Sequence, residues 1–162
     1  MKITILCVGK IKEKYLQMGI AEYTKRLGKY GKLEILEVPD EKTPDRASEA
    51  EEDMIRKTEG DRLLKHIRPD DFVVTMAIDG KMLDSVSLSR QIETWCVQGI
   101  SHIVFVIGGS LGLSGEVLSR GNYSLSFSKL TFPHQLMRLI LLEQIYRSFR
   151  IMRGEPYHKY VK

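Results

Sequence analysis

Cysteine and long apolar runs are what this sequence lacks. Its two cysteines, Cys7 and Cys96, form no C-x-x-C pair and no Cys/His cluster. That argues against a disulfide scaffold and predicts no metal site. Cys7 lies in an apolar strand pattern, where a free cysteine reads as a small buried hydrophobe. The apolar stretch between Lys2 and Lys10 is too short and too soon charged for a signal peptide, and nothing later is long enough to span a bilayer. The expectation is a protein without membrane contact, in the reducing cytoplasm. Repeats, linkers and low-complexity stretches are also missing, which predicts one domain over residues 1–162. At that length folding buries roughly 70% of the unfolded surface, enough for a real core.

Positive charge is present but confined. The whole net charge of +4 is carried from Arg138 onward, where six lysines and arginines face two glutamates. A basic carboxyl-terminal end suits a polyanionic partner, through counterion release from phosphates. A solvated helix face is the plainer alternative.

Apolar periodicity divides the chain into alternating strands and helices. Lys2–Val8 reads as a strand closed by Gly9. Glu13–Leu27 reads as a helix with Leu16, Ile20, Tyr23 and Leu27 on one face, ended by Gly28 and Gly31. Leu33–Val38 alternates as a second strand. After a loop broken by Pro39 and Pro44, Ser48 and Glu51 form a capping box for a helix to about Ile67, weakened by Gly60 and stopped by Pro69. Phe72–Ile78 is a third strand ending at an Asp79-Gly80 turn. Ser85 or Ser87 caps the helix that carries Leu88, Ile92 and Trp95. Ile103–Ile107, apolar throughout, is a fourth strand buried on both faces. A short helix (Ser114–Leu118), a short strand (Tyr123–Phe127) and a long helix from Pro133 to about Met152 complete the chain. The expected fold class is α/β, a mostly parallel sheet with helices on both faces. The last helix is apolar over more of its circumference than one face needs, so either it is buried on most sides within one chain or, the favoured expectation, part of it meets a second copy.

Chemistry is signalled at three strand ends. Ile107 runs into Gly108-Gly109-Ser110-Leu111-Gly112, where paired glycines permit a sharp turn and close backbone approach to a ligand. In open α/β sheets ligands bind outside the carboxyl ends of strands. With Met76–Gly80 and Leu125–His134, this turn is predicted to converge on one pocket. Gly108–Gly112 also matches the G-x-S-x-G of hydrolases. No aspartate follows Ser110, however, so the acid would fall to Glu116, Glu143 or Glu155 and the base to His134 or His158. Ser110 reads more simply as a turn residue. Neither G-x-G-x-x-G nor a phosphate-loop lysine is present. His66 and His102 read as surface or structural. His134 opens the last helix, whose positive end disfavours its protonation and favours nearby anions; fixing the loop is the alternative role. Tyr157-His158-Lys159-Tyr160 mixes aromatic and basic residues, as surfaces that stack bases and grip phosphate do, or as a frayed tail does.

These segments resemble the SPOUT-class methyltransferases, most closely the ribosomal RNA large subunit methyltransferase H family. The likeness rests on Ile5-Leu6-Cys7-Val8-Gly9-Lys10, Glu37-Val38-Pro39, Ile78-Asp79-Gly80-Lys81, Val106-Ile107-Gly108-Gly109-Ser110, Leu125 through His134, Glu143-Gln144-Ile145-Tyr146-Arg147 and Pro156-Tyr157-His158-Lys159. They run in order along nearly the whole chain. The resemblance implies a homodimer and a carboxyl-terminal trefoil knot, which general topology strongly disfavours. It implies S-adenosyl-L-methionine as cofactor and methylation of N3 of pseudouridine 1915, in helix 69 of 23S rRNA in the ribosome. Cofactor contacts fall on Met76, Gly108, Phe127, Ser128, Lys129, Leu130, Thr131 and Phe132. Met76 stands where the family usually has leucine and keeps an unbranched apolar contact. Tyr160-Val161-Lys162 extend the tail past the family's usual close.

The imide N3 must lose a proton, and a histidine suits that task near neutral pH. His158 is the candidate base, on a tail that can fold over a second subunit's pocket. Proton loss to solvent, with Arg150 or Arg153 steadying the anion, is the alternative. Arg138, Arg147, Arg153, Tyr157 and Lys159 are the expected RNA contacts. An ion pair such as Glu143 with Arg147, four residues on, is the structural alternative for a helix-face arginine. A pure RNA-binding module and a small serine hydrolase stay open as other classes.

Overall fold

In the computed structural model, which describes residues 1–159, ten elements follow one another. They are β1 (Lys2–Val8), α1 (Lys14–Leu27), β2 (Lys32–Val38), α2 (Glu49–Leu64), β3 (Phe72–Met82), α3 (Ser85–Val97), β4 (His102–Ile107), α4 (Gly115–Arg120), β5 (Tyr123–Ser126) and α5 (His134–Met152). The strands pair in the order β2-β1-β4-β3-β5, every pair parallel. Parallel strands need helical crossovers, and these cover both faces.

Side-chain alternation decides the layers. Ile3, Ile5 and Cys7 of β1, with Ile103, Phe105 and Ile107 of β4, pack into the core under α1, α3 and α5. Their neighbours Leu6, Val8, Val104 and Val106 face the smaller core under α2 and α4. A strand with both faces covered has no polar side to show, which is why Ile103–Ile107 is apolar throughout. Cys7 is buried, and burial pushes its thiol up to about 12, so it stays protonated and inert.

Local chemistry sets most element ends as expected. Ser48 and Glu51 form the capping box of α2 in both directions. Two expectations need correction. Asp84, not Ser85 or Ser87, caps α3, its carboxylate accepting from the Ser87 N–H at 2.7 Å. The third strand does not end at Asp79-Gly80. It bulges between Met76 and Lys81, both opposite Leu125 of β5, and continues to Met82. The turn chemistry is thus spent on an excursion inside a strand. His102 takes the structural one of its two expected roles: its Nε2 lies 2.8 Å from the Thr4 hydroxyl and its Nδ1 3.2 Å from the buried Asp71 carboxylate. That network ties β1 to β4 at the amino ends of the strands, the end away from ligand sites.

Gly60 in mid-α2 is explained by packing. A Cβ there would meet the Ser114 Oγ at 2.4 Å and Val117 at 3.2 Å. The missing side chain lets α2 seat on the start of α4. Gly60→Ala should therefore destabilise by about 1–3 kcal/mol through overpacking, although alanine is the better helix former by about 1 kcal/mol. Urea unfolding checks the sign, and a stabilised variant would show that α4 yields freely.

Candidate active site

The carboxyl ends of β3, β4 and β5 meet, and the cleft between them has a volume of about 930 Å³. Each of the three turns read from sequence contributes: Met76–Asp79 from the β3 excursion, Gly108–Leu113 after β4, and Ser126–Pro133 after β5. The start of α5, His134 to Met137, closes one side. Of the eight positions expected to touch a cofactor, seven line this cleft. Lys129 is the exception; it is exposed and lies off the lining.

Backbone closeness makes the cleft. A Cβ on Gly108 would sit 2.7 Å from the carbonyl carbon of Gly112, so only glycine lets the turn fold back on itself. Gly109 and Gly112 pair across it as an isolated antiparallel bridge. On β3, a Cβ at Gly80 would stand 2.8 Å from the Leu125 backbone, so the excursion lies directly on β5. The β5–α5 loop is held by its own serines. The Ser126 hydroxyl donates to the Ser128 carbonyl at 3.0 Å, and the Ser128 hydroxyl accepts from Leu130 N–H at 2.9 Å. Such local bonds fix a polar loop ahead of binding, which lowers the entropy a ligand must overcome. Ser110 is exposed in the turn, and among the described residues no histidine is hydrogen-bonded to it. The hydrolase reading has no triad here.

Behind the glycine turn lies Glu59 of α2, a residue that the sequence reading passed over. It is 4% exposed, and its Oε2 accepts the Glu41 N–H at 2.9 Å. Its Oε1 has no partner among the described residues and would lie 3.0 Å from a Cβ on Gly109. Burial raises its carboxyl above the ordinary value, outweighing the bond from Glu41. A lone glutamate in a helix otherwise rich in acids offers no sequence signal for this.

Arg138 requires a correction. Expected as a phosphate contact, its side chain is 3% exposed. It donates to the Glu37 carboxylate at 2.5 Å and to the Gly9 carbonyl at 3.1 Å. It therefore ties α5 to the ends of β1 and β2. The adjacent His134 is half-buried, and burial, with Arg138 nearby, lowers its pKa and keeps the imidazole neutral.

The tail is clasped to α5. Tyr157 donates to Glu143 at 2.7 Å, Glu143 accepts from Arg147 at 2.7 Å, and Arg147 lies 3.0 Å from the Nδ1 of His158. The structural alternative for Arg147 is thus the one that forms. A guanidinium only donates, so His158 accepts at Nδ1 and carries its ring hydrogen at Nε2. A histidine so held presents a donor, not a base. Burial, together with Tyr23 and Glu143, raises the Tyr157 phenol well above its ordinary range. Arg150 is spent on Glu155 and the Pro156 carbonyl, whereas Arg153 is exposed and lies over the Tyr30 ring. Lys159 is exposed; Tyr160 and Lys162 lie outside the described residues. Arg147 stands about 20 Å along α5 from His134. Among the described residues, none of the tail lines its own chain's cleft.

Glu59 gives this arrangement a pH signature. Its folded pKa is raised above the ordinary 4.5, so the folded chain holds that proton more tightly than the unfolded one. Its contribution is then most favourable below about pH 4.5 and is lost as pH climbs through the raised value. Relative to wild type, Glu59→Gln should gain melting temperature between pH 4.5 and 8. A gap that stays constant or narrows, measured by thermal unfolding across that range, would contradict the raised value.

A family model described as "Predicted SPOUT methyltransferase" matches residues 1–158. A protein of Bifidobacterium adolescentis named "Ribosomal RNA large subunit methyltransferase H" is 60% identical over 159 residues, which are 98% of this chain and 100% of that one. Among solved structures, the tRNA (m1G37) methyltransferase of Aquifex aeolicus aligns with a TM-score of 0.55 at 14% identity, over 100% of this chain and 77% of that one. A probable methylase family protein from Haemophilus influenzae aligns with a TM-score of 0.52 at 12% identity, over 99% and 71%. Those identities show a shared fold. With the family pattern running from the first residue to 158 and three turns gathered at one cleft, the chain belongs to the SPOUT methyltransferases, enzymes that take their methyl group from S-adenosylmethionine.

Proposed function

We propose that this chain methylates N3 of a pseudouridine in helix 69 of 23S rRNA, on the large ribosomal subunit, acting as a cytoplasmic homodimer. The observation that carries the reading is its 60% identity, over 98% of this chain and all of the other, to a protein named for large-subunit ribosomal RNA methylation. The carboxyl-terminal trefoil knot belongs to the same reading. It is supported by the SPOUT family match over residues 1–158.

The cleft fits the methyl donor. Its volume of about 930 Å³ lies in the range of small-molecule sites. Its apolar walls suit a purine, and the crowded Gly108 turn offers bare backbone for polar edges. Met76, Gly108, Phe127, Ser128, Leu130, Thr131 and Phe132 would hold it. Bound there, S-adenosylmethionine supplies an already activated methyl group for in-line displacement. What remains for the protein is chiefly orientation, worth up to about 7–11 kcal/mol in well-ordered cases.

N3 must be stripped of its proton before it attacks. The His158 arrangement turns the expected base into a donor. In this reading Nε2–H points at a pyrimidine oxygen beside N3 and steadies the imide anion, while the proton leaves to solvent. The distance of the tail from its own cleft supports delivery into the cleft of a second copy. The half-buried Leu136 and Ile140 on the first turns of α5 support a contact between copies there. Exposed Arg153 and Lys159 then face the phosphates, with Arg147 and Tyr157 holding the tail in shape.

The test is labelled-methyl transfer to ribosomes from a strain lacking the gene, followed by mapping of the modified base. Label on helix 69 is expected; label elsewhere, or none, overturns the reading. His158→Ala should cut turnover at least tenfold and leave cofactor affinity within twofold. His158→Gln, which keeps a donor, should recover a measurable part of it. Full activity in the alanine variant would remove His158 from the site, and no recovery with glutamine would return it to the role of base.

A further inference from the structure

A second cavity, of about 570 Å³, opens at the carboxyl ends of β1 and β2. The proposed methyl transfer makes no use of it. It adjoins the cofactor cleft, since His134 and Gln135 line both. Its floor is built rather than incidental. Gly9 adopts φ +88°, and a Cβ there would stand 3.7 Å from His134 Nε2 and 3.9 Å from the Asp40 side chain. The two groups therefore flank one point. Beneath it, the buried Arg138 holds the Gly9 carbonyl and Glu37, which also line or underlie the cavity.

The charges say what fits. Glu37 is taken up by Arg138. That leaves the Asp40 carboxylate and the neutral imidazole of His134 at the centre, with Lys10, Lys12 and Glu13 around them. Lysines beside an equal number of carboxylates do not make a simple anion site. A carboxylate wants a donor, and a flat cavity edge with two lysines suits a phosphate at one end. An unpaired nucleotide offers both, because adenine, guanine and cytosine carry an exocyclic amine and uracil does not. Single-stranded RNA is read through such splayed bases.

We propose that this second cavity receives the base of a nucleotide next to the methylated one, its exocyclic amine donating to Asp40 and its phosphate lying against Lys10 and Lys12. The proposal rests on the RNA methyltransferase reading. It makes Asp40 a specificity-determining residue and the shared wall, His134 and Gln135, the divider between cofactor and neighbouring base.

The experiment compares wild type, Asp40→Asn and the Lys10→Ala/Lys12→Ala double variant on unmethylated ribosomes. One ribosome set is native; others carry uracil at the nucleotide before or after the target. Wild type should lose at least tenfold in kcat/KM on one uracil set. Asp40→Asn should lose about that much on native ribosomes and discriminate less than threefold between the sets. The lysine variant should raise KM at least fivefold with kcat within twofold. Cofactor affinity by calorimetry, and melting temperature, should hold in both. Unchanged KM and unchanged discrimination in both variants overturn the proposal. So does weakened cofactor binding with intact discrimination, which would make the cavity an extension of the cofactor cleft. Failure of wild type to methylate any ribosome set would instead sink the underlying reading, and this proposal with it.

Discussion

The buried guanidinium of Arg138 is the constraint on which the two cavities depend. A charge with 3% exposure is costly to desolvate and is tolerated only when paired. Glu37 at the end of β2 and the Gly9 carbonyl after β1 supply that pairing, 101 and 129 residues away in sequence. An apolar residue of the same volume could fill the space. It could not fix the rotation of α5 about its axis or its height above the sheet, because apolar contacts lack direction. The ion pair therefore sets register, which is the best-attested use of a buried charge pair. With α5 so fixed, His134, Gln135 and Met137 are held as one wall of the cleft, beside the clamp.

That clamp also shows where the sequence reading stops. The strands, their parallel class and the three convergent turns were legible because each has local chemistry: apolar alternation, paired glycines, a proline at a helix start. The Ser48 capping box was legible for the same reason. Arg138 was misread because its neighbours in sequence suggest a basic helix face, and only the fold brings Glu37 under it. Glu59 left no mark at all. It is one acid in a helix of acids, and its burial follows from where α4 and the β4 turn come to rest. The β3 excursion was half read. Asp79-Gly80 does mark a change of direction, but the strand resumes because Lys81 and Met82 find Leu125 and Ser126 again. A knot, being a property of threading, has no local residue signal.

The glycines differ in what they do. Gly108 and Gly80 clear room for backbone against backbone, where the obstacle cannot move. Gly60 clears room for a side chain on a neighbouring helix. The first two shape the cleft, and the third positions the layer behind it. Glu59, one residue before Gly60, touches both regions: its two oxygens face the loop after β2 and the turn after β4. A shift of α2 against α4 is thus felt at the glycine turn. This makes the smaller core part of the apparatus of the site, and Leu113, packed against that core, also lines the cleft.

The tail is held stiff and stands apart from the cleft. Tyr157, Glu143, Arg147 and His158 form a continuous chain of hydrogen bonds, with the Arg147 guanidinium 4.8 Å from the Tyr157 ring centroid. Such a network holds a short segment in one shape, which a segment without secondary structure does not otherwise keep. Ordering a segment in advance lowers the entropy cost of any contact it makes on binding. Yet the ordered tail stands away from its own cleft by several turns of α5. A rigid group held far from the cofactor has no chemical purpose within the same chain. It gains one if two copies pack with α5 near its start, for then the stiff end of one chain reaches the open end of another. Rigidity of the tail and distance from the cleft, which look unrelated within a single chain, both follow from that arrangement.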